Sequence, residues 1–160
     1  MAFRELITMK KSMKKPQEGD IFVLQPQKMV FYFGKVIQTD LKTIDSFIKG
    51  MTLIYIYEYS RHDKVLLKNL EEENLLIAPM IVNNQPWSRG YFETIGNVPV
   101  SEKEKKLEFA FWDVLREEYV DLYGQVVKNR PKYCSIYGLG SYGSVGREVQ
   151  KALKAKNDKK

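Results

Sequence analysis

Few stretches of this chain carry residue types at a spacing that chemistry could use. The first is Gly138-Leu139-Gly140-Ser141-Tyr142-Gly143, which fits G-x-G-x-x-G. It falls between an expected strand and an expected helix, the setting in which a dinucleotide's pyrophosphate meets a helix N-terminus. Such a site also needs a second parallel strand with an acidic residue for the ribose. Only 17 residues follow Gly143, and they read as a helix and a charged end. The motif is therefore expected to be a tight glycine turn between the last strand and the last helix, and no cofactor is assigned.

One histidine, His62, and one cysteine, Cys134, cannot furnish the usual nitrogen and sulfur ligands of a metal site. His62 lies in a polar Arg61-His62-Asp63 loop with no paired nucleophile motif, so a surface histidine is expected. Cys134 stands among Tyr133, Ile136 and Tyr137 and is expected to act as a small buried apolar residue. Asp113, Glu117 and Glu118 could do acid–base work only if burial shifted their proton affinity. Glu71-Glu72-Glu73 reads as a solvated run. No catalytic residue and no metal ligand is assigned.

Ten tyrosines and two tryptophans could serve as stacking platforms, as core, or as a protein interface. Few basic residues are interleaved with them, which favours the last two. Composition singles out Pro86-Trp87-Ser88-Arg89-Gly90-Tyr91, because Trp, Tyr and Arg are enriched at binding hot spots. Trp87, Arg89 and Tyr91 are the candidate partner-binding residues. The alternative for Trp87 is a core position at the start of a strand.

The elements that must hold these residues are mostly strands. Residues 19–39 read as a hairpin: Ile21-Phe22-Val23-Leu24, a polar Gln25-Pro26-Gln27-Lys28 turn, then Val30-Phe31-Tyr32-Phe33 continued by Val36 and Ile37. Gly34 inside the second run predicts a bulge or sharp bend. Residues 40–50 read as a short helix capped by Asp40 and ended by Gly50. Strands are expected over 51–59, 75–82, 87–95 and 132–137, with Pro79 marking an edge or a bend. Residues 65–73 allow a turn of helix. Ser101-Glu102-Lys103-Glu104 matches a capping box and begins a short helix. An alternating strand follows at Leu107, Phe109 and Phe111, with Trp112 on its other face. Tyr123-Gly124 suits a hairpin tip. Val145, Val149, Ala152 and Leu153 define the apolar face of a C-terminal helix with Ser144 as N-cap.

The expected fold is mainly β: a single domain on a small, strongly curved antiparallel sheet or partly open barrel, with one or two short helices and a C-terminal helix. The chain's 160 residues suit one domain that needs no disulfide or metal to fold. Boundaries are expected at a loosely attached basic leader over 1–15, a β-rich domain over 16–153 and a charged tail over 154–160. The net charge of +6 is uneven. Residues 1–15 carry five basic residues against Glu5, and residues 151–160 five lysines against Asp158, a balance of +4 each. Subtracting both from +6 leaves −2 for residues 16–150. A nucleic-acid binder would be expected to carry its positive charge on a folded face. A single cysteine, no signal peptide and no apolar run near the ~20 residues of a membrane span point to the cytoplasm.

Several pieces in order carry a family resemblance: Gly19-Asp20-Ile21-Phe22, Tyr32-Phe33-Gly34-Lys35-Val36, Pro86-Trp87 with Gly90-Tyr91-Phe92, Ile95-Gly96-Asn97, and Tyr137 through Gly143. Together they span about residues 16–153, and the sequence resembles the immunity protein 26 family of bacterial polymorphic toxin systems. The resemblance implies a mostly β fold and a non-enzymatic role: tight, stoichiometric binding of a cognate protein toxin, usually encoded next door. It implies no catalytic residues, and no binding residues are carried over from it. The rival reading is a small-barrel nucleic-acid binder or an endoribonuclease of the plasmid-maintenance toxin type, whose first hairpin also begins Gly-Asp-Ile. The acidic body and the missing acid–base set weigh against that rival.

Overall fold

The computed structural model describes residues 5–43, 46, 48–140 and 142–159. Strands β1 (Asp20–Gln27), β2 (Val30–Gln38), β3 (Thr52–Arg61) and β4 (Leu75–Val82) follow one another, with a 3₁₀ turn at Leu70–Glu72. Then come helix α1 (Gln85–Ser88), β5 (Glu93–Asn97), α2 (Glu102–Lys105), β6 (Phe109–Asp113), β7 (Glu118–Val120), β8 (Tyr133–Ile136), β9 (Leu139–Gly140) and α3 (Tyr142–Asp158). Six strands make one sheet in the order β5-β1-β2-β3-β4-β9, and three make a second in the order β7-β6-β8. The fold is mainly β, as expected, and its sheets are not closed.

Side chains alternate across a strand, so each strand feeds two cores. Ile21, Val23, Phe31, Phe33, Tyr55 and Tyr57 point to one side, where Phe111 and Val120 of the small sheet meet them. Phe22, Leu24, Tyr32, Val36, Ile54 and Ile56 point to the other, where Trp87, Phe92 and the Val145 and Val149 face of α3 cover them. The first cluster is the inside of a partly open barrel; the second is its outer layer. The near-continuous apolar run of β3 is explained by this, because both of its faces are covered.

Gly34 sets how tightly the first hairpin can curve. It pairs with Phe22 on one side and Ile56 on the other, beside an irregularity in the β2–β3 register. A Cβ there would stand 2.4 Å from the Phe22 ring and 2.8 Å from the Tyr55 carbonyl. The bulge read from the sequence is present for that reason.

Several expectations are corrected. The hairpin turn is Lys28-Met29, not Gln25 to Lys28; β1 runs on through Pro26, which sits where the β1–β2 register slips and so costs no ladder bond. The segment 87–95 is not one strand. Pro86 in the first turn favours helix α1, Gly90 at φ 81° turns the chain, and β5 starts only at Glu93. Ser144 lies inside α3, which begins at Tyr142, so it is not the N-cap. The expected helix over 40–50 falls partly on residues 44, 45 and 47, outside the described residues; Asp40 has φ 50°, a conformation outside helix. Residues 7 and 9 make backbone hydrogen bonds to the domain. Ile7 N–H donates to the Gln25 carbonyl at 2.8 Å, and Met9 N–H to the Gly90 carbonyl at 2.7 Å. Lys154 and Lys156 lie within α3.

Candidate functional site

Trp87, Arg89 and Tyr91 are adjacent in the chain but face different ways. Trp87 is 2% exposed and Tyr91 6%, both within the outer-layer core. The Trp87 indole packs edge-on against Phe22 and Phe92 at ring-centroid distances of 5.5 and 5.1 Å. Arg89 alone of the three is exposed. For Trp87 the geometry matches the core alternative, reached from a helical turn instead of a strand.

Of the carboxylates considered for acid–base work, Glu117 and Glu118 are exposed and Asp113 is engaged in a turn. Asp113 Oδ1 accepts from the N–H groups of Leu115 and Arg116 at 3.1 and 3.2 Å, holding the β6–β7 turn. His62 is a surface residue, with its Nδ1 3.0 Å from the Met29 carbonyl oxygen. The glycine motif is divided between two elements: β9, which pairs in parallel with β4 at Ile81 and Val82, and the start of α3, with Ser141 outside the described residues. A Cβ on Gly140 would meet the Met80 methyl at 2.7 Å. Among the described residues no group of three His, Cys, Asp or Glu side chains could hold a metal ion.

Two features escaped the sequence. The first is an ion pair inside the barrel. Lys35 falls on the inward face of β2, in line with Phe31, Phe33 and Ile37. Its Nζ lies 2.8 Å from Glu104 Oε1 of α2, both side chains being at most 4% exposed. The capping box does form: Ser101 Oγ accepts from Glu104 N–H at 3.1 Å, and Glu104 Oε1 accepts from Ser101 N–H at 3.0 Å. Lys35 also donates to the Pro99 carbonyl at 3.0 Å. The Tyr57 hydroxyl donates to Glu104 Oε2, and the Tyr55 hydroxyl to the Glu104 carbonyl at 3.0 Å. Burial pushes the Glu104 carboxyl up, but the hydrogen bonds from Lys35, the Ser101 N–H and Tyr57 outweigh it and hold the group below the usual carboxylate range. Burial first, then Glu104, through its charge at Tyr55 and its hydrogen bond at Tyr57, push both tyrosine hydroxyls well up. Every charge here has a partner, so the cluster ties α2 across the barrel mouth; it holds no poised acid or base.

The second feature is a groove of about 810 Å³ on the outer surface, over the seam between β4 and β8 and beside α3. The seam is held by side chains: Ser135 Oγ donates to the Pro79 carbonyl at 2.9 Å, and the Tyr133 hydroxyl accepts from Leu75 N–H at 3.2 Å. Register explains the groove's floor. Trp112 lies opposite Ile136 on one side and Tyr119 on the other, and all three line it. Leu76, Ala78 and Met80 of β4 continue the apolar surface. Ile136 is 64% exposed and Leu139 42%, unusual for apolar side chains beside a cleft. Arg130, Arg147 and Lys151 form the rim with one acid, Glu148. Two signals were in the sequence: Trp112 on the off-core face of an alternating strand, and apolar Ile136 at the end of a strand.

The architecture is a small, partly open barrel whose inner Lys35–Glu104 pair is fully hydrogen-bonded and whose outer wall bears an apolar, basic-rimmed cleft. The chain belongs to the immunity protein 26 family, whose model matches residues 17–121, well over half of the sequence. No curated protein and no solved structure matches it. The matched part takes in β1 to β7 and stops short of β8, β9 and α3. No described helix is long and apolar enough to cross a membrane.

Proposed function

We propose that the protein binds a cognate toxin of a bacterial polymorphic toxin system and neutralises it by stoichiometric protein–protein inhibition, without catalysis and within the cytoplasm. The observation that carries this reading is the family match over residues 17–121. The groove supports it, because aromatic side chains with arginine at the rim are what binding hot spots use. Covering a toxin's active site, or blocking a motion it needs, requires tight binding; a nanomolar dissociation constant corresponds to about −12 kcal/mol. From the Trp87, Arg89 and Tyr91 set, Arg89 is the side chain proposed to reach a partner, with Trp87 and Tyr91 holding its segment in place.

The test is purification of the tagged chain from its own host after nuclease treatment, followed by expression of the recovered partner alone and together with this chain. The reading predicts one stoichiometric protein that is toxic alone and harmless in company. Recovery of nucleic acid only, or loss of every partner on nuclease treatment, would refute it.

A further inference from the structure

We infer that the groove over the β4–β8 seam takes an acidic segment of the toxin carrying an apolar anchor. This rests on the immunity reading and adds the site and the chemistry of the segment that fills it. The floor is apolar and partly bare. Trp112, Tyr119 and Ile136 converge from three strands, and Ile136 is more than half exposed. A side chain seated there removes apolar area from water on both partners. The rim is cationic. Arg130, Arg147 and Lys151 stand around the floor against one carboxylate, Glu148. Among the described residues, neither Arg130 nor Lys151 has an ion pair. Unpaired rim cations attract carboxylates and speed encounter with an acidic partner.

The net charge of residues 16–150, at −2, hides the local reversal at Arg130 and Arg147, to which Lys151 of the basic end adds. A nucleic acid fits less well. Tyr119 meets the Trp112 ring edge-on, with centroids 4.8 Å apart and planes at 60°, so the pair offers no parallel stack for successive bases. The segment is defined by its charge and its anchor.

The experiment uses the full chain and the toxin recovered as above. A photo-crosslinking benzoylphenylalanine is placed at position 136, with a control at exposed Met29 on the β1–β2 hairpin turn, which does not line the groove. Crosslinking at 136 but not at 29, to a toxin peptide with Asp or Glu flanking an aliphatic or aromatic residue, is expected. In parallel the exposed rim is reversed in one variant, Arg130→Glu, Arg147→Glu and Lys151→Glu, whose fold is checked by circular dichroism. Its Kd for the toxin is expected to rise by on the order of a hundredfold, with a matching loss of salt dependence. The variant Arg130→Lys with Arg147→Lys is expected to keep most of the affinity. If the parent chain binds and protects but position 136 does not crosslink, or the reversed rim binds within about twofold of the parent, the groove assignment falls and the immunity reading stands. If crosslinks map to a basic or charge-free segment, the acidic-segment assignment falls. If the parent chain neither binds a toxic protein nor protects, both fall. Recovery of oligonucleotide at position 136 overturns the proposal in favour of a nucleic-acid site.

Discussion

Lys35 and Glu104 illustrate how a pair of residues can be costly to break and cheap to replace. Each is buried, each has the other as its countercharge, and Tyr57, Ser101 and Pro99 take up the remaining hydrogen-bonding capacity. Glu104→Gln or Lys35→Met leaves one charge buried alone and is expected to cost about 3–5 kcal/mol in urea unfolding. The double variant is expected to recover much of that loss, a coupling a double-mutant cycle reads directly. Acid makes the same point by titration. The Glu104 carboxyl is held below its ordinary value of 4.5 in the folded chain. The unfolded chain therefore binds the proton first. The stability contributed is fully present above that ordinary value and is lost as pH falls through the lower, folded value. Urea midpoints followed from neutral pH to about pH 3 should fall, and Glu104→Gln should flatten that acid limb. Trp87→Ala is expected to cost about 3–5 kcal/mol through the cavity it leaves, whereas Arg89→Ala, at an exposed position, should change stability by under about 1 kcal/mol. A toxin-binding assay on Arg89→Ala thus reads binding, and one on Trp87→Ala reads folding. At this scale the sequence was half legible. The capping box announced Glu104's backbone role, and the alternation Phe31, Phe33, Lys35, Ile37 placed a lysine facing inward. Nothing local says that a residue 69 positions away answers it.

Strands with continuous or alternating apolar runs were legible almost to their ends, because burial on one or two faces writes itself into composition. The run from Leu75 to Val82 matches β4 residue for residue, and 132–137 contains β8. Helix α1 was not legible as helix. Trp87 and the aromatics after it look like a strand, but Pro86 in the first turn and Gly90 at φ 81° decide the backbone, and the rings reach the core from a turn. The paired hairpin β1–β2 depends on one missing Cβ. Gly34→Ala forces a methyl into the Phe22 ring and the Tyr55 carbonyl. It is expected to cost about 1–3 kcal/mol by overpacking, read as a lowered denaturation midpoint, while Ala at Gly96, which has open space around it, should be mild.

For the molecule as a whole, the class of fold was readable and the groove was not. Its walls come from β4, from the small sheet and from α3, and the contacts that bring them together, such as Tyr133 to Leu75, join residues 58 apart. The family match ends at residue 121, yet the molecule does not. A chain stopped there would leave Leu24, Val36, Trp87 and Phe92 without Val145 and Val149 over them. Such a truncation is expected to lose cooperative thermal unfolding and to migrate as aggregate in size exclusion. One detail of the seam has a wider consequence. From Leu75 to Met80, β4 has no described strand paired along its outer side, and Pro79 in that stretch has no N–H to donate. Neighbouring backbone, whether of β8 or of another molecule, loses one ladder bond there. An open row of donors along a strand edge would invite copies of the chain to stack edge to edge. The absent amide hydrogen of Pro79 breaks that row on the wall of the groove.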